Sequence, residues 1–164
     1  MEYLKIGTIK TTRGLKGEVK IKSLTNMSSE RFKIGNVIYV IKDNKYLPLS
    51  IANYRLINNQ DILTFKDYED INKAEKLLGK EIFIPVNQEV ELEDNEFLVD
   101  DLIGLKVIQT NTVKGIVKDV MTYPQGDYLV VETENGDKMI PFRDEFILDQ
   151  TEEDITLIEM EGLL

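Results

Sequence analysis

The sequence predicts an all-β protein built from two small antiparallel β-barrels joined by an acidic linker. Three observations carry this reading. Short runs rich in Ile, Val, Leu, Tyr and Thr recur along the chain, separated by Gly, Asn and Asp. One stretch near residue 70 stands out as a helix and would plug or flank the first barrel. The charge balance reverses near residue 85, where apolar content is low.

In the first half, "YLKIGTI", "GEVKIKSL", "VIYVI", "LPLSIANYRL" and "ILTF" read as strands at the spacing of a small barrel or sandwich. In "EDINKAEKLLGKEIFIP", Asp70 fits an N-cap, Ile71, Ala74, Leu77 and Leu78 fall on one face, and Gly79 fits the stop. In the second half, "LIGLKVIQ", "GIVKDVM", "DYLVVET" and "DKMIPF" read as strands. The Asn135-Gly136 pair predicts a type I′ hairpin turn. Residues 143 to 150 predict a short helical turn before a last strand, "ITLIEM". Two Ile-Gly to Lys-Gly intervals, from Gly7 to Gly17 and from Gly104 to Gly115, give the halves a weak self-similarity that duplication or convergent hairpin chemistry explains equally.

These runs place domain boundaries at residues 1–85 and 97–164, with residues 86–96, "VNQEVELEDNE", as an extended, self-repelling linker. Each part is small but long enough to fold alone. With 42% hydrophobic and 30% charged residues the 164-residue chain has the composition of a folded domain. No apolar run is long enough to cross a bilayer, and "MEYLKIGTIK" lacks the pattern of a secretory leader. A cytoplasmic protein without a membrane partner is expected.

The chain has no Cys and no His. Thiolate nucleophiles, disulfides and cysteine metal sites are excluded, and the usual neutral-pH base and commonest metal ligand are missing. No P-loop, dinucleotide fingerprint or nucleophile elbow is present. Neither an enzyme nor a cofactor, catalytic residue or metal site is expected. A carboxylate-dependent RNA hydrolase or transferase stays open as the alternative, given the many Asp and Glu. Residues 1–85 hold 15 Lys and Arg against 10 Asp and Glu, and residues 86–164 hold 5 against 20. Such asymmetry fits a first part that meets phosphate and a second that meets a basic protein; an acidic surface that serves solubility is the other explanation.

The densest basic stretch is "TTRGLKGEVKIKSL", residues 11–24. If residues 17–24 form a strand, Lys20 and Lys22 project together, roughly 6.7 Å apart, while Val19 and Ile21 face the other side. Lys10, Arg13 and Lys16 precede them in a turn that Gly14 and Gly17 allow to take positive φ. The set offers a cationic edge for phosphate without base readout. A hairpin with geometric glycines and merely solvated lysines is the competing account. The Gly-x-x-Gly spacing also occurs in KH domains, but there it lies beside helices and here it feeds a strand.

The second constellation, "NEFLVDDLIGLKV", spans residues 95–107. Asp100 and Asp101 are neighbours that point apart in extended chain and cannot chelate one ion. Phe97, Leu98, Leu102 and Ile103 are either core or, with Asp100 and Asp101, an apolar rim beside acids suited to a basic protein partner. Glu89, Glu91 and Glu93 would extend that surface or solvate the linker.

Taken in order, "TTRGLKGEVKIKSLT", "DINKAEKLLGKEIFIP", "DDLIGLKV", "GIVKDV", "DYLVV", "MIPF" and "EGLL" resemble the bacterial ribosome maturation factor family RimM over nearly the whole chain. The resemblance implies an N-terminal RimM-type β-barrel followed by a PRC barrel. It implies an assembly chaperone for the head of the small (30S) ribosomal subunit that supports 16S rRNA processing. The expected partners are that subunit with its 16S rRNA and ribosomal protein number 19, the latter chiefly through the PRC barrel, and the chaperone itself is expected to be a monomer. A PRC-barrel adaptor for some other basic protein is the further alternative. Arg13, Gly14, Lys16, Gly17 and Glu18 map onto the family's first signature, where Arg13 replaces a usual His. Asp101, Leu102, Ile103 and Gly104 map onto its second. Phe97 and Leu98 stand near a tyrosine pair that the family commonly carries for ribosome binding.

Overall fold

The structure, a computed structural model, describes residues 2–86 and 96–164. Two compact units are present, Met1–Leu98 and Val99–Leu164. Most of the expected linker, with Glu89, Glu91 and Glu93, lies outside the described residues. Glu96, Phe97 and Leu98, which the sequence placed in the linker and the second domain, belong to the first unit.

The first unit runs β1 (Glu2–Arg13), β2 (Glu18–Ser23), α1 (Ser28–Arg31), β3 (Val37–Lys42), β4 (Lys45–Ile57), β5 (Gln60–Phe65), α2 (Ile71–Ala74) and β6 (Glu81–Val86). Its strands close into a barrel in the order β1-β2-β5-β4-β3-β6. Alternation fills the interior: Ile6, Ile9, Val19, Ile21, Ile38, Val40, Leu63, Phe65 and Ile82 are all buried. Strands of 12 and 13 residues, β1 and β4, cannot stay straight on so small a barrel, and register shifts at Lys5/Gly7, Ile9/Thr11 and Ile51/Asn53 mark where they bend.

Short polar pairs make the hairpins. Asp43-Asn44 and Asn58-Asn59 each take positive φ at both positions, between a Lys42–Lys45 and an Ile57–Gln60 rung. Those are two-residue type I′ turns, which Asn and Asp tolerate better than other side chains.

The predicted helix is shorter than its spacing implied. Asp70 caps it by accepting the Lys73 N–H at 2.9 Å, but α2 gives way to a 3₁₀ turn over Glu75–Leu77 and the chain is extended at Leu78. Ala74 and Leu77 therefore enter the core while Leu78 is exposed. Segment α1 has no counterpart in the sequence reading; its continuation brings Phe32 into the core, 6.3 Å from the Tyr54 ring.

The loop between β1 and β2 shows why it holds two glycines. Gly14 turns with φ +67 in open space. Gly17 has φ +83 and is buried, with a Cβ there falling 2.2 Å from the Tyr68 carbonyl oxygen and 2.9 Å from the Asp70 nitrogen. The Leu15 carbonyl accepts the Ile71 N–H at 3.0 Å, fastening the same loop to the start of α2.

A buried carboxylate lies near the β4–β5 turn. Asp61 accepts the Tyr54 hydroxyl at 2.6 Å and is 7% exposed. Burial pushes the Asp61 carboxyl up from its ordinary range, with hydrogen bonds from Tyr54 and Ser28 opposing the shift. Burial, then the bond to Asp61, pushes the Tyr54 phenol up as well.

The second unit comprises α3 (Val99–Leu102), β7 (Lys106–Gln109), β8 (Thr112–Tyr123), β9 (Gly126–Thr133), β10 (Gly136–Pro141), β11 (Ile147–Gln150) and β12 (Asp154–Leu157). The sheet order is β10-β9-β8-β7-β12-β11. Val99, Leu102, Leu105, Val107, Val117, Val120, Leu129, Val131, Ile140, Ile155 and Leu157 are its buried hydrophobic residues.

Four details differ from expectation. The "LIG" run belongs to a helical turn and the glycine after it, because Gly104 takes φ +93 and β7 starts only at Lys106. Pairing of β7 with β12 is parallel, as sequence-distant strands can be when the chain between them is long. The expected turn forms over 143–147, where the Phe146 and Ile147 N–H groups donate to the Arg143 and Asp144 carbonyls, but residues 147–150 continue as strand β11, paired with β12. At the β9–β10 turn only Gly136 has positive φ, so Asn135 is not part of a type I′ pair; that geometry occurs instead at Thr110-Asn111.

Two outcomes follow for stability. Gly17→Ala is expected to lower unfolding stability by about 2–3 kcal/mol in denaturant titration, and Gly14→Ala by only about 1 kcal/mol, because both carry left-handed strain but only Gly17 also meets backbone. Equal losses would contradict the packing account. For Asp61, the folded state holds its proton more tightly than the unfolded chain, so stability falls as pH rises from the ordinary aspartate range through the raised value and is then level. Asp61→Asn keeps an acceptor for Tyr54 without the charge. It should be more stable than the wild type at neutral pH, with the advantage vanishing on acidification; a constant difference across pH would refute this.

Candidate nucleic-acid and protein-binding surfaces

The β1–β2 ribbon presents the basic residues of the opening stretch. Thr11 pairs with Lys20 and Thr8 with Lys22, so both lysines project from the outer face while Val19 and Ile21 point inward. Arg13 lies opposite Glu18, and Lys10 sits at the bulge between Ile9 and Thr11. Lys16 and Gly14 are exposed at the tip beside Leu15, which is 76% exposed. Among the described residues no ion pair forms to Lys10, Arg13, Lys16, Lys20 or Lys22. Gly17 is not accessible: the 68–70 backbone covers it, so it shapes the loop and cannot touch a ligand.

Barrel closure adds a cation the sequence reading missed. Arg55 of β4 and Lys20 of β2 flank Ile62 in one outer rung. Arg55 is engaged by Glu18 through two hydrogen bonds of 2.7 and 2.9 Å. An open groove of about 520 Å³ lined by Lys16, Glu18, Asn53, Arg55, Thr64 and Glu69 runs beside it. With Glu18 on Arg55 the groove is close to neutral, and the unpaired cations lie along the ribbon.

The expected rim at Phe97–Leu102 is taken apart. Leu98 is 5% exposed within the first core and forms a bridge with Thr25, while Leu102 is 2% exposed in the second unit. Neither offers surface to a partner, because each fills the apolar interior of its own unit. Phe97 is half-buried, with its N–H donating to Asn26 Oδ1 at 2.8 Å. Asp100 and Asp101 are exposed on α3, on a helical turn instead of extended chain.

Glu96 holds this segment down. Its side chain is fully buried and takes a bidentate pair from Arg31, with Nε to Oε2 at 3.0 Å and Nη2 to Oε1 at 2.5 Å. The Thr25 hydroxyl donates to Oε2 at 2.6 Å. Three charge-assisted bonds replace the water that burial strips from the carboxylate. No sequence signal marks this pair, which joins residues 65 apart.

In the second unit, the outer face of β8–β10 is apolar and edged with acid. Val130 lies between Met139 and Asp119, and Tyr128 between Pro141 and Met121. Met139 and Met121 are 50% and 37% exposed, and the Tyr123 ring meets Tyr128 edge-on at 5.8 Å. Glu132 lies beside Asp137, which Lys118 pairs at 3.0 Å. Residues 99–164 carry 5 bases against 15 acids, whereas the described residues of the first unit carry 15 against 11. Methionine and tyrosine on a flat strand face edged by carboxylates are well suited to an adaptable contact with a basic protein. No group of three or more Asp or Glu placed to hold a metal occurs among the described residues, and no helix there is long and apolar enough to cross a membrane.

A closed barrel and a second β unit of unlike charge define a two-domain β protein. Family comparison makes this specific. The RimM N-terminal domain matches residues 4–89 and the RimM PRC barrel domain matches residues 99–163, so the chain belongs to the RimM family. It is 32% identical over 169 residues to the ribosome maturation factor RimM of Bacillus cereus (strain G9842), covering 99% of each chain, and 32% identical to that of Bacillus cytotoxicus with the same coverage. Among solved structures, a putative 16S ribosomal RNA processing protein RimM from Pseudomonas aeruginosa aligns over 97% of this chain and 98% of its own, with 21% identity and a TM-score of 0.49.

The Arg31–Glu96 pair yields a direct prediction. Glu96→Ala leaves Arg31 buried without its partner and should cost about 3–5 kcal/mol in chemical denaturation. Glu96→Gln keeps acceptor and shape and should cost less. An exposed-pair value near zero for both would show that the segment is not held by this contact.

Proposed function

We propose that this protein is a non-enzymatic assembly chaperone for the head of the small ribosomal subunit, which supports 16S rRNA processing in the cytoplasm. The first unit lies against rRNA through the β1–β2 ribbon, and the second docks ribosomal protein number 19. The observation that carries the reading is the full-length relationship to proteins named ribosome maturation factors, with both family domains present in order. The division of charge between the units supports the assignment of partners, since phosphate favours the first and a basic protein the second.

Chaperoning requires differential affinity. A factor that bound the assembling and the mature subunit equally would shift no equilibrium, so the proposal demands tighter binding to the immature particle. The chemistry of such binding is electrostatic and apolar contact, with no bond made or broken.

Co-sedimentation with purified immature small subunits tests the whole reading; failure to bind at low salt rejects it. Lys20→Glu with Lys22→Glu is expected to weaken the association and to lower the slope of log affinity against log salt by roughly 2, one for each lysine that no longer neutralises a phosphate. Met121→Lys with Met139→Lys should reduce affinity for ribosomal protein number 19 about tenfold while rRNA binding persists. The opposite pattern would reverse the assignment of partners to units.

A further inference from the structure

The first barrel carries a second surface with the chemistry of RNA recognition, and it is aromatic. Lys5, Phe83, Tyr39 and Pro48 form one outer rung across β1, β6, β3 and β4. Tyr3 and Tyr46 enter from the rungs on either side and lean over it. Their rings stack on each other at 3.6 Å and 7°, while Tyr3 meets Tyr39 at 5.5 Å and Tyr46 meets Phe83 at 5.4 Å, both edge-on.

Closing the barrel accounts for part of this cluster. β3 and β6 share a single registered pair, Tyr39 with Phe83, and rings packed over that seam protect it. Protection does not account for the exposed remainder. Tyr46 is 40% exposed, and Ile41, its cross-strand partner, and Val37 are each 43% exposed. Lys80 Nζ donates to the Ile41 carbonyl at 3.0 Å beside this open portion, and Lys5 lies at the far end of the rung, 3.6 Å from Glu81. Lys42 and Lys45 pair at the hairpin tip, where strand alternation places them with Val40 and Leu47 on the face opposite Tyr46 and Ile41.

We infer that this face binds unpaired RNA, with bases packing against Tyr46 and Ile41 and the backbone running past Lys80 and round the hairpin tip at Lys42 and Lys45. The stacking element favours a single strand over a duplex, while the lysines serve either. An unstacked base offers a π-face to an aromatic ring, a helix hides its bases, and lysines at the margin neutralise phosphate without reading sequence. The inference rests on the proposal that the first unit lies against rRNA and extends it from backbone contact at the β1–β2 ribbon to base stacking at the β3–β4 hairpin.

The chain has no Trp, so full-length Tyr46→Trp provides a single emission reporter at the site. A mixed-sequence single-stranded RNA of about ten nucleotides is expected to quench that emission, and a duplex of equal length to leave it unchanged. By fluorescence anisotropy with labelled RNA, Tyr46→Ala should lose roughly tenfold in single-strand affinity while Tyr46→Phe retains it. Tyr46 is peripheral, and an unchanged melting temperature in Tyr46→Ala excludes misfolding as the cause. If Tyr46→Ala binds the single strand like the wild type while Lys20→Glu with Lys22→Glu abolishes binding, the aromatic face is refuted and the ribbon proposal stands. If neither RNA binds, both fall. If sedimentation shows a dimer that Tyr46→Ala dissolves, the face is a contact between copies of this chain and the inference is overturned.

Discussion

Closure of the six-stranded barrel is the constraint on which the rest of the first unit depends. Five neighbouring pairs are bound through ladders of three or more rungs, but the sixth, β3 with β6, is joined by one. A barrel with an open seam is a sheet with two edges, and unpaired edges expose backbone groups. The chain resolves this from both sides. Inside, Ile38, Val40, Ile82 and Ile84 meet beneath the seam, and outside the Tyr39 and Phe83 rings cover it. The bulges in β1 and β4 serve the same end, since only bent strands reach round so small a circumference.

Closure also determines which charges can be buried. Asp61 and Glu96 are both withdrawn from water in the first unit, yet their environments differ in kind. Glu96 has a guanidinium in bidentate contact and a hydroxyl on the same carboxylate, so its charge is compensated. Asp61 has neutral donors only, and its carboxyl is driven toward the protonated form. Removing a cation's partner from a desolvated pair costs several kcal/mol, whereas replacing an uncompensated carboxylate by an amide relieves a penalty. Glu96 is therefore a fastening for residues 96–98. Asp61 is a local cost borne by the barrel's apolar interior.

The strands, the N-cap at Asp70 and the outward pair Lys20 and Lys22 were legible because each depends on period or on chemistry within a few residues. Gly17 was legible as a glycine that takes positive φ but not as one jammed against residues 68–70, because that neighbour is fifty residues away in sequence. The same limit hid Arg55 beside Lys20, Arg31 beneath Glu96, and the four rings at the seam, all of which closure brings together. Leu98 and Leu102 illustrate the reverse error. An apolar residue next to acids has the same sequence signature whether it lines a rim or ends a core, and burial alone separates the two. The Asn135-Gly136 pair misled for a different reason: Gly136 takes the positive φ by itself, while Thr110-Asn111 forms the type I′ turn without a glycine.

The geometry separates positioning from recognition. The charge on the first unit is spread along a ribbon whose lysines have no partners among the described residues, which gives long-range attraction that salt screens and little sequence preference. The aromatic face, which begins on β1 and crosses β6 to the β3–β4 hairpin, would on the proposal above add stacking, which acts only at contact and discriminates unpaired from paired strands. An electrostatic surface alone would hold mature and immature rRNA similarly, because both carry the same phosphate density. A face that requires exposed bases does not, since folding of the RNA removes its ligand. On the proposed function, preference for an unfinished particle would arise without any conformational change in the protein: the ribbon would supply encounter, stacking the difference in affinity, and maturation of the RNA release.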